Sequence, residues 1–167
     1  MIKILGILLL VISGTSLGFM IAARNMNHIK FLNAYIKFIL DLKTEIKYNQ
    51  ETILKIFEKY SRSSVLSPML EKCLKLSQSL PINQAWSAAF SNLHRAVGAS
   101  LEEEKIIKDF ARNLGQTDIL SQLNYCEYNI SIIKPYLNEA LENKKKNEQL
   151  PIILGVCLSL IISTLMI

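Results

Sequence analysis

Residues able to do chemistry are few and scattered along this chain. His28 and His94 are its two histidines, and neither has a partner at metal-ligand spacing. Cys73, Cys126 and Cys157 are far apart and form no C-x-x-C. They read as buried thiols in a reducing compartment. Glu139 and Glu142 stand three apart, like half of a carboxylate metal site, but no Glu-x-x-His accompanies them. They read as a solvated helix surface. Glu102-Glu103-Glu104 follows Ser100 and is accounted for by helix capping. There is no P-loop, no G-x-S-x-G and no Gly-rich phosphate loop. The expectation is a non-enzymatic protein with no metal and no cofactor.

The elements that would hold any site are set by two apolar ends. Residues 4–23 read ILGILLLVISGTSLGFMIAA, without a charge. At ~1.5 Å per residue such a helix covers the ~30 Å apolar core of a bilayer. The run is longer than a secretory signal core, and Ile21-Ala22-Ala23 is a poor cleavage site, so the segment is expected to be retained. Residues 150–167 are again uncharged and near the lower limit for crossing. The sequence therefore predicts a transmembrane helix at 4–23, a helical domain at 25–149 and a second transmembrane helix at 150–167. All acidic residues, and every basic one except Lys3, lie between the two apolar ends. Arg24, Lys30 and Lys37 follow the first; Lys144, Lys145 and Lys146 precede the second. Positive flanks stay in the cytoplasm, so the domain should be cytoplasmic with both chain ends on the far side. The positive excess suits anionic lipid and is too small to argue nucleic-acid binding.

Periodicity fills the middle with six helices. From Arg24 to Tyr48 a polar stripe of Lys30, Asn33, Lys37, Asp41 and Thr44 leaves a broad apolar surface, which predicts a central helix continuous with the first span. Glu45 extends the apolar row of Phe38 and Leu42, and is either a frayed last turn or a partner for a cation elsewhere. Residues 51–60 form a short amphipathic helix with Ile53, Leu54, Ile56 and Phe57 inward. Ser67-Pro68 reads as N-cap and first helical position, and Asn83 as the cap of a helix running to Val97 with Trp86 in the core. Ser100 and Glu103 form a capping box, and Leu114-Gly115 ends that helix. Thr117 or Asp118 starts the last helix, in which Ile119, Leu123, Cys126, Ile130, Ile133, Leu137 and Ala140 alternate four and three apart. Pro135 lies off that seam and should kink the helix. Gly14 and Gly18 are expected to pack against Gly155 and Ser159 of the second span.

The stretches Leu42–Tyr48 (LKTEIKY) and Phe110–Asp118 (FARNLGQTD) carry a resemblance, together with the start KILGILLLVISGTSLGF and the end LGVCLSLIISTLMI. In that order and spacing they resemble the stage III sporulation protein AB family. The resemblance implies an all-α fold: a six-helix antiparallel bundle, like one cytoplasmic domain of the type II secretion platform F protein, between transmembrane helices. It also implies a part in a secretion-like channel between mother cell and forespore. The partners implied are a secretion-type cytoplasmic ATPase, other membrane subunits of the channel and the lipid bilayer. The location implied is the outer forespore membrane, with the domain facing the mother-cell cytoplasm. Glu45, Tyr48, Arg112, Asn113 and Asp118 are the candidate partner contacts, and Leu114 and Gly115 define the helix hairpin. The family's Pro-Leu after Glu-Ile-x-Tyr is replaced here by Glu51-Thr52-Ile53. A rival reading is an extracytoplasmic, membrane-anchored sensor or ligand-binding module, which the charge placement disfavours.

Overall fold

The computed structural model describes residues 2–48, 53–62, 64–112, 114 and 118–147. Among them the chain is helical and has no strand, with six helices of two turns or more and one isolated turn. Helix α1 (Ile2–Tyr48) is a single unbroken element of 47 residues, some ~70 Å long. Neither Gly14 nor Gly18 interrupts it, so the sequence's apolar start and the central helix are one rod. Among residues with described side chains, no helical window is long and apolar enough to cross a membrane. Within 4–23 these include only Ser13, Ser16, Met20 and Ala23, so the apolar character of that stretch is a property read from sequence. The segment 150–167 lies outside the described residues.

From Ile29 onward α1 is the spine of the domain. Ile29, Phe31, Leu32, Tyr35, Phe38, Ile39, Leu42 and Ile46 are buried on it. Lys30, Asn33, Lys37 and Thr44 are exposed, and Asp41 is half-buried. This is the helical 3–4 spacing that separates a core face from a wet one. Helix α7 (Ile119–Asn147) packs along α1. The direction follows from the pairs: Lys43 of α1 meets Glu127, whereas Tyr35 meets Asn129. Toward its start α1 faces Tyr136 and Ala140 across a cleft, so the two helices run antiparallel. On α7 Cys126, Ile133 and Leu137 are buried, Leu123, Ile130 and Ala140 are half-buried, and Ile119 is exposed. The seam thus holds except at its first member. Pro135 is accommodated inside the helix with its side chain exposed.

Short helices cover the opposite flank of α1. They are α2 (Ile53–Ser61), α3 (Ser67–Leu76), α4 (Ile82–Ala89), the single turn α5 (Leu93–Ala96) and α6 (Leu101–Asp109), the last tightening into a 3-10 turn at Phe110–Arg112. Ile56 and Phe57 of α2 point inward as expected, but Leu54 is 38 % exposed. Trp86 organises this half. Its ring lies 4.1 Å from Phe90 and 5.3 Å from Phe57, with Phe38 and Phe110 beyond. The indole N–H donates to the Ile107 carbonyl at 2.7 Å, which satisfies its one polar group in a dry core.

Several local expectations are corrected. Ser67 is not the cap of α3 but its first residue; its Oγ accepts from the Ser64 N–H instead. Pro81, not Asn83, precedes α4, and the Asn83 side chain accepts from the Gln84 N–H. The helix expected to run to Val97 breaks at Asn92, whose φ is +63°. Asn tolerates this left-handed conformation better than most residues, and the Glu104 carboxylate accepts the freed Asn92 N–H at 3.0 Å. The break turns Leu93 into the core. Helix α6 ends as α at Asp109, before Leu114 is reached. Leu114 itself is buried, and its N–H approaches the Ala111 carbonyl at 3.4 Å. Gly115, with the left-handed cap expected there, lies outside the described residues.

Candidate partner surface

The antiparallel pairing of α1 and α7 gives the domain two distinct ends. One end holds the close of α1 and the start of α7; the other holds residues 24–28, the α5–α6 corner and the last turns of α7. Helix α6 is also antiparallel to α7. Its end meets α7 where the Tyr125 hydroxyl donates to the Asp109 carbonyl at 3.1 Å, and its start faces Tyr136. The N-terminus of α6 therefore lies at the same end as Arg24.

At the first end the sequence candidates fall together. Glu45 and Tyr48 close α1; Arg112 and Asp118 border the α6–α7 connection. Each charged candidate also has a partner within the fold. Glu45 is 13 % exposed and pairs with Lys59 of α2 at 2.9 Å, so it joins two helices rather than fraying. Arg112 lies 3.0 Å from Asp109 and is 73 % exposed. Such a pair contributes ~0–1 kcal/mol at most. Asp118 caps α7: its carboxylate accepts from the Ser121 N–H at 3.1 Å, and the Ser121 hydroxyl and N–H hold it below the ordinary aspartate range. Asn113 lies outside the described residues. Three large apolar side chains are exposed at this end: Tyr48, Ile119 and Leu120, at 69 %, 49 % and 68 %. Lys47 sits 5.1 Å over the Tyr48 ring, which leaves its other face open.

The other end is polar. A cleft of about 580 Å³ is lined by Asn25, His28, Glu103, Tyr136, Glu139 and Asn143, among others. Glu103 is 2 % exposed, and its carboxylate does two things at once. It accepts the Ser100 N–H in the capping box, while the Ser100 hydroxyl accepts from Glu103 N–H at 3.1 Å. Its other oxygen meets His28 Nε2 of α1 at 2.9 Å. Burial would raise this carboxyl, but the His28 and Ser100 hydrogen bonds outweigh it and hold the group below its ordinary value. The expected capping box is therefore present, and it also ties α6 to α1. His28, for which the sequence offers no partner at metal-ligand spacing, is the missed residue; its partner lies seventy-five positions away.

Among the described residues no cluster of three or more His, Cys, Asp or Glu is placed to hold a metal. Cys73 and Cys126 are buried free thiols. Burial pushes Cys73 up to about 12. Cys126 is pushed up to about 11, again mainly by burial. Neither is a thiolate at neutral pH. Gly14 and Gly18 lie four apart on α1 and so on one face. Gly155 and Ser159, their expected counterparts, lie outside the described residues.

No curated protein and no solved structure matches this chain. A family model does match it. Stage III sporulation protein AB covers residues 3–167, which takes in both apolar ends and every helix described above. The chain belongs to the stage III sporulation protein AB family.

Proposed function

We propose that this protein is a membrane-anchored, non-enzymatic platform that serves sporulation by docking a secretion-type cytoplasmic ATPase to the membrane subunits of a channel complex. Family membership carries the role in sporulation; the finer reading rests on α1. That helix is unbroken from Ile2 to Tyr48. It joins an uncharged twenty-residue stretch to the centre of the helical core, and ends beside the exposed Tyr48, Ile119 and Leu120. An unbroken helix transmits displacement along its axis, so movement of a docked motor at the far end would reach the bilayer. Residues 4–23 and 150–167 are the spans in this reading, the domain faces the mother-cell cytoplasm, and the membrane is the outer forespore membrane. The distal end suits an interface: exposed Tyr48, Ile119 and Leu120, which a partner would desolvate, with Lys47, Arg112 and Asp118 at the same end.

The test is capture of the ATPase from sporulating cells by the full chain in detergent. Tyr48→Asp together with Leu120→Asp should abolish capture and leave the thermal transition in place, because both side chains are exposed. Equal capture by the variant and the parent would refute docking at this end.

A further inference from the structure

Resting on the span at 4–23, we infer that the α5–α6 corner lies on the bilayer surface and that Leu101 enters the lipid headgroup layer there. Leu101 is 75 % exposed, more than any other large hydrophobic residue among those described. It is the first residue of α6, between Ser100 and the Glu103 that bonds His28. His28 is five residues past Ala23, or ~7.5 Å along α1. The headgroup layer on each side of a bilayer is about 5–7.5 Å thick, so the start of α6 stands at its outer edge.

A second contact fixes the same height. The Arg24 guanidinium donates to the His94 carbonyl at 2.8 Å. Gly98, with φ +82°, lies so close that a Cβ there would meet Arg24 Nε at 3.2 Å. Arg24 is the first charge after the apolar run, so the corner is clamped one residue beyond the expected edge of the hydrocarbon. The charge around Leu101 suits an anionic surface. Arg24, Arg95 and Lys105 are exposed. Of the neighbouring acids, Glu103 is committed to His28 and Ser100, and Glu104 to the Asn92 N–H and His94. Glu102, and Glu139 of α7 in the same cleft, are exposed and oppose them. An exposed apolar side chain on a corner that also carries exposed long cations is the pattern of an interfacial contact. The occupant is thus the membrane that holds α1, and the domain would be held at a fixed tilt by this surface contact in addition to its spans.

The experiment uses the full chain with Cys157→Ser, reconstituted in phosphatidylethanolamine/phosphatidylglycerol vesicles. Cys73 and Cys126 are buried and their thiols protonated, so they stay unlabelled. A polarity-sensitive fluorophore is attached in turn to Leu101→Cys, Tyr48→Cys and Leu10→Cys, and quenched by lipids carrying a nitroxide at shallow or deep positions. The expected result is blue-shifted emission at 101 with strong shallow quenching, deep quenching at 10 and none at 48. A label at 101 as unquenched as that at 48, with 10 still quenched, would overturn the surface contact and leave the span standing. No quenching at 10 would overturn the span, and this inference with it.

Discussion

Removing one hydroxyl at the centre of the α1–α7 interface should loosen the whole domain. Tyr35 is fully buried on α1, and its hydroxyl donates to Asn129 Oδ1 of α7 at 2.8 Å. Asn129 is 3 % exposed. Tyr35→Phe keeps the ring, with its stacking on Phe31 and its edge contact to Phe110, and removes only the donor. A buried acceptor left without a partner costs ~1–3 kcal/mol. With a urea m-value of about 2 kcal/mol/M, a loss near 2 kcal/mol lowers the unfolding midpoint by about 1 M. Asn129→Ala should cost a similar amount, since it strands the Tyr35 hydroxyl in the same dry site. The double substitution should cost less than the two singles together, by ~1 kcal/mol or more, because neither group is then stranded. The assay is urea unfolding of the full chain in a mild detergent, followed by the fluorescence of Trp86, the only tryptophan. A midpoint unchanged by Tyr35→Phe, or strict additivity in the cycle, would refute the reasoning.

Other perturbations probe the remaining ties. Glu103 is held below its ordinary pKa in the folded state, so its stabilising effect is complete above the normal carboxylate range and is lost as pH falls through the folded value. Stability should therefore decline on acidification, and Glu103→Gln should flatten that decline; urea midpoints on a pH series read it out. Gly98→Ala forces an L side chain to φ +82° and crowds Arg24, which should cost ~1–2 kcal/mol by the same unfolding assay. Trp86→Ala should be far more severe, ~3–5 kcal/mol, since it empties the centre of the aromatic cluster; circular dichroism melting is the readout. By contrast, Arg112→Ala should lower the melting temperature by no more than about 4 °C, because its pair with Asp109 is exposed.

What was legible in sequence was whatever repeats within a few residues. The core face of α1, the capping box at Ser100 and Glu103, and most of the α7 seam follow from spacings of three and four, which a helix turns directly into faces. Trp86 was placed in the core on the same basis. The misreadings have two physical sources. Asn92 ends a helix whose apolar pattern runs straight on, because a tertiary acceptor, Glu104, makes the left-handed turn favourable. Ser67 and Asn83 are good cap residues that the chain uses for adjacent turns instead. The long-range pairs had no local signal at all. His28 with Glu103, Tyr35 with Asn129 and Lys43 with Glu127 are each separated by more than seventy residues, and only the closure of α7 (antiparallel) and α6 (parallel) on α1 brings them together. The candidates Glu45, Tyr48, Arg112 and Asp118 were chosen from two separate stretches. The same closure puts them at one end of the domain, where the exposed Ile119 and Leu120 begin α7.

In the proposed arrangement one continuous helix carries this domain from the membrane into the cytoplasm. Cysteine accessibility of the full chain in intact growing cells tests it most directly. With Cys157→Ser, and with Glu58→Cys as an exposed reporter on α2, a membrane-impermeant thiol reagent should give no labelling until the cells are lysed and strong labelling afterwards, with the protein in the membrane pellet throughout. Labelling of residue 58 before lysis would put the domain on the wrong side of the membrane and contradict the account.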